Sequence, residues 1–200
     1  VYAVDEVSAL AEVARRHDLA LHMDGARFAN AVAALGCSPA ALSWKAGGDV
    51  LSCGATKNGA MAAEAVIFFR PDLARDALYR RKRGGHLLSK MRFLSAQLEA
   101  YVTDDLWLAN ARHANAMARR LSEGLGRLPG ARLADPVQAN EVFVYLPDAM
   151  ARALEAEGAR FHRWGTDGLV RLVTSFATEA ASVEGLLAVA ARAVPRAIQP

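Results

Sequence analysis

The chain has 200 residues, 53% of them hydrophobic and 22% charged, which is enough apolar material to bury a substantial core in one domain or two modest ones. Its formal net charge of +3 comes mostly from Arg scattered through Ala-rich segments rather than gathered on one face, a pattern that argues against a polyanion-binding protein. No apolar run approaches the roughly 18 to 20 residues of a membrane span, and the first residues do not read as a secretory leader, so a soluble, cytoplasmic protein is expected.

In chain order, Val7, Leu10, Ala11 and Ala14 recur at helical spacing and predict a helix over 5–17, with Asp5 as its cap. The run Leu19–Met23 predicts a short strand that ends at Asp24. A second helix is expected from Arg27 to Leu35, stopped by Gly36, and the pair Ser38-Pro39 starts a third. Asp49–Cys53 predicts a strand, followed by a turn that contains Lys57 and by another buried strand over Glu64–Phe69. Helices alternating with short, almost wholly apolar strands indicate an α/β layer of parallel character.

Beyond Pro71 the pattern changes to long helices, expected over Asp72–Arg83, Lys90–Val102 and Asp105–Leu125. Short strands over 131–134, 141–146 and 169–175 then interleave with helices near Asp148–Glu157 and Thr178–Ala193, a smaller α+β arrangement. The expected division is residues 1–85, as the C-terminal part of a large domain, and 86–200, as a small α+β domain. Cys37 and Cys53 are too few for a disulfide framework and lack metal-ligand spacing, so they read as free thiols or small buried side chains. The one basic cluster, Tyr79-Arg-Arg-Lys-Arg-Gly-Gly85, reads as a solvated helix end suited to the negative pole of its macrodipole, with a polyanion contact as the alternative.

Two residues invite a chemical reading. Ligands of open α/β sheets sit outside the carboxyl ends of the strands, and both Asp24 and Lys57 fall there. Gly25 lets the backbone turn beside the acid, and Gly54-Ala55-Thr56 and Asn58-Gly59 leave room around the amine. No Gly-x-Gly-x-x-Gly follows either strand, which removes the main support for a dinucleotide site. A carboxylate that keeps a pyridine nitrogen protonated and a lysine that condenses with an aldehyde are the two groups pyridoxal phosphate chemistry most needs. Taken singly, a strand-end Asp is a turn residue and a lone Lys a surface charge.

The segments His22-Met-Asp-Gly-Ala-Arg-Phe-Ala-Asn-Ala31 and Gly54-Ala-Thr-Lys-Asn-Gly-Ala-Met-Ala-Ala-Glu-Ala-Val-Ile-Phe-Phe69, with the opening 1–27 and the late Val170-Arg-Leu-Val-Thr-Ser-Phe176, resemble the low-specificity L-threonine aldolases of the beta-eliminating lyase family. These are pyridoxal-phosphate enzymes of the aspartate-aminotransferase fold, fold type I. The resemblance covers nearly all 200 residues and corresponds to the C-terminal three-fifths of such an enzyme. It implies part of the mostly parallel sheet of the large domain followed by a smaller α+β domain.

The resemblance also implies roles. Lys57 would hold the cofactor as a Schiff base and Asp24 would pair with its ring nitrogen. Arg27 would approach the ring's phenolic oxygen and, with Arg171, take the substrate carboxylate, a task suited to a bidentate guanidinium. The open alternatives are a helix-start ion pair for Arg27 and a solvent-pointing edge residue for Arg171. Thr56 would offer its hydroxyl to the cofactor or stabilise its own turn. Arg92 would serve the phosphate across a subunit boundary or stand as an exposed helix charge. His22 shares a strand face with Asp24 and reads as a satisfied core histidine. His86 carries little expectation of a substrate role.

The implied reaction is aldol cleavage of L-threonine, L-allo-threonine and related β-hydroxy-α-amino acids to glycine and an aldehyde, in a homotetramer built from dimers. The alternatives are another fold type I lyase or aminotransferase, an inactive fragment of one, or a binding domain. Because the chain opens on Val1 and the family's phosphate cup and ring-stacking histidine have no counterpart in it, further sequence is expected upstream. The 200 residues alone are expected to bind the cofactor poorly and to be inactive.

Overall fold

A computed structural model describes residues 1–194 of the chain. It divides into two compact units, residues 1–111 and residues 112 onward, each with its own sheet. This gives the expected order, an α/β layer followed by a smaller α+β unit. No helix of the described residues is long and apolar enough to cross a membrane.

In the first unit α1 (Val4–Arg16) presents Val7 and Ala11 to the core. Asp5 is not its cap: the helix begins one residue earlier, Ala3 takes the cap position, and Glu6 reaches back to accept a hydrogen bond from the Ala3 N–H at 2.7 Å. Strand β1 (His22–Gly25) leads to α2 (Phe28–Leu35), which ends at Gly36 with φ 62°, the left-handed geometry that favours glycine after a helix. The Ser38 hydroxyl caps α3 (Pro39–Leu42) by accepting from the Ala41 N–H at 3.2 Å. Strands β2 (Val50–Gly54) and β3 (Glu64–Phe68) follow, and the sheet order is β1-β2-β3.

β1 and β2 run parallel, with Asp24 opposite Ser52 and Gly25 opposite Cys53. β3 returns antiparallel on β2, because the residues between them are too few for the helical crossover that a parallel return requires. Leu51 lies at the centre of the unit's main cluster with Val7, Phe28, Val32, Leu42 and Ala46.

The helix expected over 72–83 is interrupted. A 3₁₀ turn over Pro71–Ala74 precedes α4 (Ala77–Arg83), all of whose residues are at least partly exposed. The next helix, α5 (Arg92–Val102), buries Tyr101 against Ala55 and Ala63, so the segment counted with the smaller domain by sequence packs within the first compact unit. The division between the units falls inside α6 (Leu106–Leu125).

The second unit is an antiparallel sheet of order β4-β5-β7-β6, made by β4 (Arg132–Leu133), β5 (Glu141–Tyr145), β6 (His162–Trp164) and β7 (Leu169–Val173). Alternation along β5 and β7 buries Val142, Val144, Val170 and Leu172 in one cluster with Met150 and Leu154 of α7 (Asp148–Ala156) and with Val183 and Ala190 of α8 (Ala180–Arg192). Strand β6 has no apolar alternation, its three residues being exposed, and sequence periodicity does not predict it.

Leu51 is only 2% exposed at the middle of the strand that carries Lys57's turn. Leu51→Ala is expected to lower stability by about 3 kcal/mol, within the usual 2–5 for a buried Leu truncation, as measured by urea unfolding.

Candidate functional site

Parallel pairing sends β1 and β2 to the same edge of the sheet, where β1 ends on Asp24-Gly25 and β2 on Gly54. The two exits touch through their backbones. A Cβ on Gly25 would stand 2.5 Å from both Leu51 Cδ1 and the Ser52 carbonyl oxygen, and one on Gly54 would stand 3.0 Å from the Ala26 carbonyl oxygen. Both distances are far inside van der Waals contact, so glycine is what lets the Asp24–Arg27 segment lie against the approach to Lys57.

Asp24 is exposed, and one carboxylate oxygen, Oδ1, accepts from the Ala26 N–H at 3.0 Å, fixing the turn that follows the strand. His22 lies on the same face two residues earlier. It is exposed rather than a core histidine, and its Nε2 is 2.8 Å from Ser52 Oγ, the residue opposite Asp24. Its polarity is satisfied by that contact on the exposed side of the strand, which is the difference from the sequence reading. Arg27 occupies the N-cap position of α2, half-buried, with its Nε enclosed.

Lys57 is the middle residue of a one-turn 3₁₀ helix, Thr56–Asn58, and is exposed. The Thr56 hydroxyl accepts from the Ala63 N–H at 3.0 Å and lies 3.3 Å from the Ala63 carbonyl, to which it donates. Of the two roles open to it, the structure therefore shows the turn-stabilising one. Glu64 accepts from the Thr56 N–H at 3.3 Å.

The residues that hold this turn from behind were not singled out from sequence. Asn58 is 3% exposed, and its amide nitrogen donates to Tyr101 Oη at 2.7 Å and to the Trp107 carbonyl at 2.9 Å. Its own carbonyl accepts from Asn110 Nδ2 at 2.9 Å. Gln97 Oε1 accepts from the N–H groups of Met61 and Ala62 at 3.0 and 3.1 Å. Gly59 follows at φ +124°, where a Cβ would meet Asn110 Nδ2 at 2.7 Å. The only local hint was the Asn-Gly pair, a turn signal; the partners lie some forty to fifty residues further along the chain, beyond any local pattern.

Burial pushes the Tyr101 phenol above its ordinary pKa against the opposing effect of the Asn58 hydrogen bond, with Cys53 and Glu64 adding to the rise. The Cys53 thiol is raised in the same way, by burial first and then by Glu64. Cys53 lies on the opposite face of β2 from Ser52 and lines an apolar hollow of about 490 Å³ with Phe28, Leu51, Tyr101 and Trp107. The polar edge that holds Asp24 and Lys57 is not that hollow.

Four of the six candidate residues, Asp24, Arg27, Thr56 and Lys57, thus gather at one sheet edge. Arg92 begins α5 in the same unit, exposed, with its guanidinium 5.0 Å from the centre of the Phe93 ring. The cationic residues Arg80–Arg83 close α4 as a solvated helix end, and His86 is exposed beyond it. Arg171 belongs to the second unit. There β7 is an inner strand between β5 and β6, so the edge-strand alternative fails. Arg171 lies 3.5 Å from a Glu141 carboxylate oxygen and 5.4 Å from the centre of the Trp164 ring, and its buried Nε makes no hydrogen bond.

Comparison with known proteins is consistent with this geometry. Residues 1–149 match the family model described as beta-eliminating lyase. The chain is similar to the low specificity L-threonine aldolase of Pseudomonas aeruginosa, with 49% identity over 186 residues, 93% of this chain and 54% of that protein. It is similar also to the low specificity L-threonine aldolase of a Pseudomonas species, with 47% identity over 94% of this chain and 54% of that protein. Among solved structures, a threonine aldolase from Leishmania major superposes with a TM-score of 0.87 at 31% identity, over 96% of this chain and 57% of that one. The chain thus spans about half the length of the curated relatives it matches.

Two outcomes follow. Gly25→Ala is expected to lower stability by about 1–3 kcal/mol, the usual penalty of overpacking, visible as a lower urea midpoint. Because Cys53 and Tyr101 both hold their protons more tightly when folded, their contribution is present below the unfolded values of 9.0 and 10.0 and is lost as pH rises past them; urea midpoints should therefore fall between pH 8 and pH 11, and a Cys53→Ser, Tyr101→Phe double variant should show a smaller fall.

Proposed function

Because the chain belongs to the beta-eliminating lyase family, we propose that it carries the lysine and the ring-nitrogen acid of a pyridoxal-phosphate-dependent aldolase acting on L-threonine, L-allo-threonine and related β-hydroxy-α-amino acids, with glycine and an aldehyde as products. The observation that supports this most is the parallel register that ends Asp24 and the approach to Lys57 at one sheet edge, backbone against backbone. Similarity to proteins named as low specificity L-threonine aldolases supports the substrate class over transamination or β-elimination.

The donor set fits the cofactor. Its aldehyde needs a primary amine, which Lys57 supplies from an exposed turn; its ring nitrogen needs an anion, which Asp24 supplies through a carboxylate with one oxygen engaged by Ala26. Arg92 would serve the phosphate, and Thr56 would contribute only the acceptor capacity its turn leaves over. When bound, pyridoxal phosphate supplies the electron sink that makes cleavage of a Cα–Cβ bond next to an amine accessible.

The chain's own residues do the rest. Asp24 holds a proton at the ring nitrogen, because a fixed carboxylate favours the cationic form of a nearby base. Lys57 supplies the primary amine that condenses with the aldehyde, presented on the exposed tip of its turn. Arg27, at the start of α2 just past Asp24, binds and orients the amino-acid carboxylate through paired N–H donors; for Arg171 the same task rests on the family resemblance alone. Leu78, Tyr79 and Phe93, 74%, 78% and 57% exposed, lie near Arg92 in sequence and support a homo-oligomer, a tetramer of paired dimers, in which that stretch is covered. A cytoplasmic location completes the reading.

Lys57→Ala in the protein carrying this chain is expected to abolish aldehyde release from L-threonine, followed with a coupled alcohol dehydrogenase assay. A variant that cleaves threonine at the normal rate defeats the assignment, and pyruvate and ammonia in place of glycine and aldehyde would move the reaction to β-elimination.

A further inference from the structure

The turn that presents Lys57 is short, exposed at its tip and polar, yet it is tied down at five backbone or side-chain points by a segment that begins about forty residues later. Tyr101 Oη donates to the Gly54 carbonyl at 3.5 Å, before the lysine; Asn58, just after it, is held by Tyr101, Trp107 and Asn110; Gln97 takes the N–H groups of Met61 and Ala62, and its own amide donates to the Phe93 carbonyl at 3.0 Å. Tyr101 is central because its hydroxyl meets both flanks of the lysine, Gly54 on one side and Asn58 on the other. Asn58 and Tyr101 are 3% and 5% exposed, and hydrogen bonds in such low-dielectric surroundings are strong and directional.

We propose that Asn58 and Tyr101 are positioning residues for the Lys57 amine, fixing the 3₁₀ turn so that the amine meets its carbonyl partner already oriented. The inference rests on the cofactor reading of Lys57. Its physical basis is that covalent capture depends on the placement of the reacting nitrogen, and a side chain carried by a loosened turn loses the advantage of pre-orientation. Neither residue touches the cofactor in this scheme; both act through the backbone of their neighbour. The raised pKa of the buried phenol agrees with a neutral hydroxyl that accepts from Asn58 while donating to Gly54.

The test uses the protein carrying this chain, with two readouts that need no turnover: the dissociation constant of pyridoxal phosphate from its visible absorbance, and the yield of borohydride-stable cofactor on Lys57 by peptide mass. Tyr101→Phe keeps the ring and its packing and removes only the hydroxyl. It should weaken the cofactor about tenfold and lower the trapped yield, because the amine is no longer held in place for capture. Asn58→Ala should do at least as much, and if it does not fold, Tyr101→Phe decides. Val7→Ala, a truncation at a buried position of α1, destabilises the same unit elsewhere and should leave both readouts unchanged.

Wild-type affinity and trapping in Tyr101→Phe overturn the proposal, as does an equal loss in Val7→Ala, which would make the effect one of general stability. If the parent protein itself traps no cofactor on Lys57, the cofactor reading fails and the proposal with it. If the parent traps it and Tyr101→Phe does so equally, the proposal alone fails.

Discussion

The first unit is organised by the close approach of two parallel strand ends. β1 and β2 finish side by side because their register leaves Gly25 opposite Cys53, and at Gly25 and Gly54 the neighbouring chain occupies the space a side chain would need. A parallel pair aims both carboxyl ends the same way. An acid at the end of one strand and an amine just past the end of the next therefore share an edge without any long-range fold-back. The apolar cluster around Leu51 holds that edge from below, with Phe28 and Val32 of α2 and Val7 of α1 packed on it.

Most of this frame was legible in sequence because it is written in local signals. An apolar run gave the second parallel strand, while the first starts later than its run, at His22, and carries Asp24 and Gly25 within it. Gly36 and Ser38-Pro39 marked a helix end and a helix start that the structure has, with the left-handed φ and the hydroxyl cap those residues favour. The candidate acid and amine were found the same way, since position after a strand is a one-dimensional property. What failed was also local in cause. Asp5 looked like a cap because acids favour both the cap and the first turn, and the helix used it in the latter place. The stretch after Pro71 kept an amphipathic composition across a break that only its three-dimensional turn reveals.

Other parts of the molecule left no trace in a single sequence. β6 is a three-residue strand of exposed polar and aromatic side chains, and its pairing with β7 supplies the structure that its own residues do not encode. The edge-residue alternative for Arg171 rested on its interrupting an apolar strand. Arg171 proves tolerable on an inner strand because Glu141 and Trp164 face it from the neighbouring strands. The ties on Asn58 are of the same kind. A buried amide must find partners, but the sequence does not say that they are a tyrosine and two backbone or side-chain groups more than forty positions away.

The antiparallel return of β3 has a mechanical meaning. Ala55 and Ala63 are hydrogen-bonded to each other across the base of the Lys57 excursion, and Gly54 and Glu64 pair immediately below. The segment is thus a loop closed at its base by two paired strands, β2 and β3, unlike a crossover whose ends are anchored apart. Because its two feet are hydrogen-bonded neighbours, the base of the loop is fixed at one inter-strand spacing, and the long lysine side chain extends from it. Whatever such an amine captures is held on a short, stiff stalk with a flexible tip.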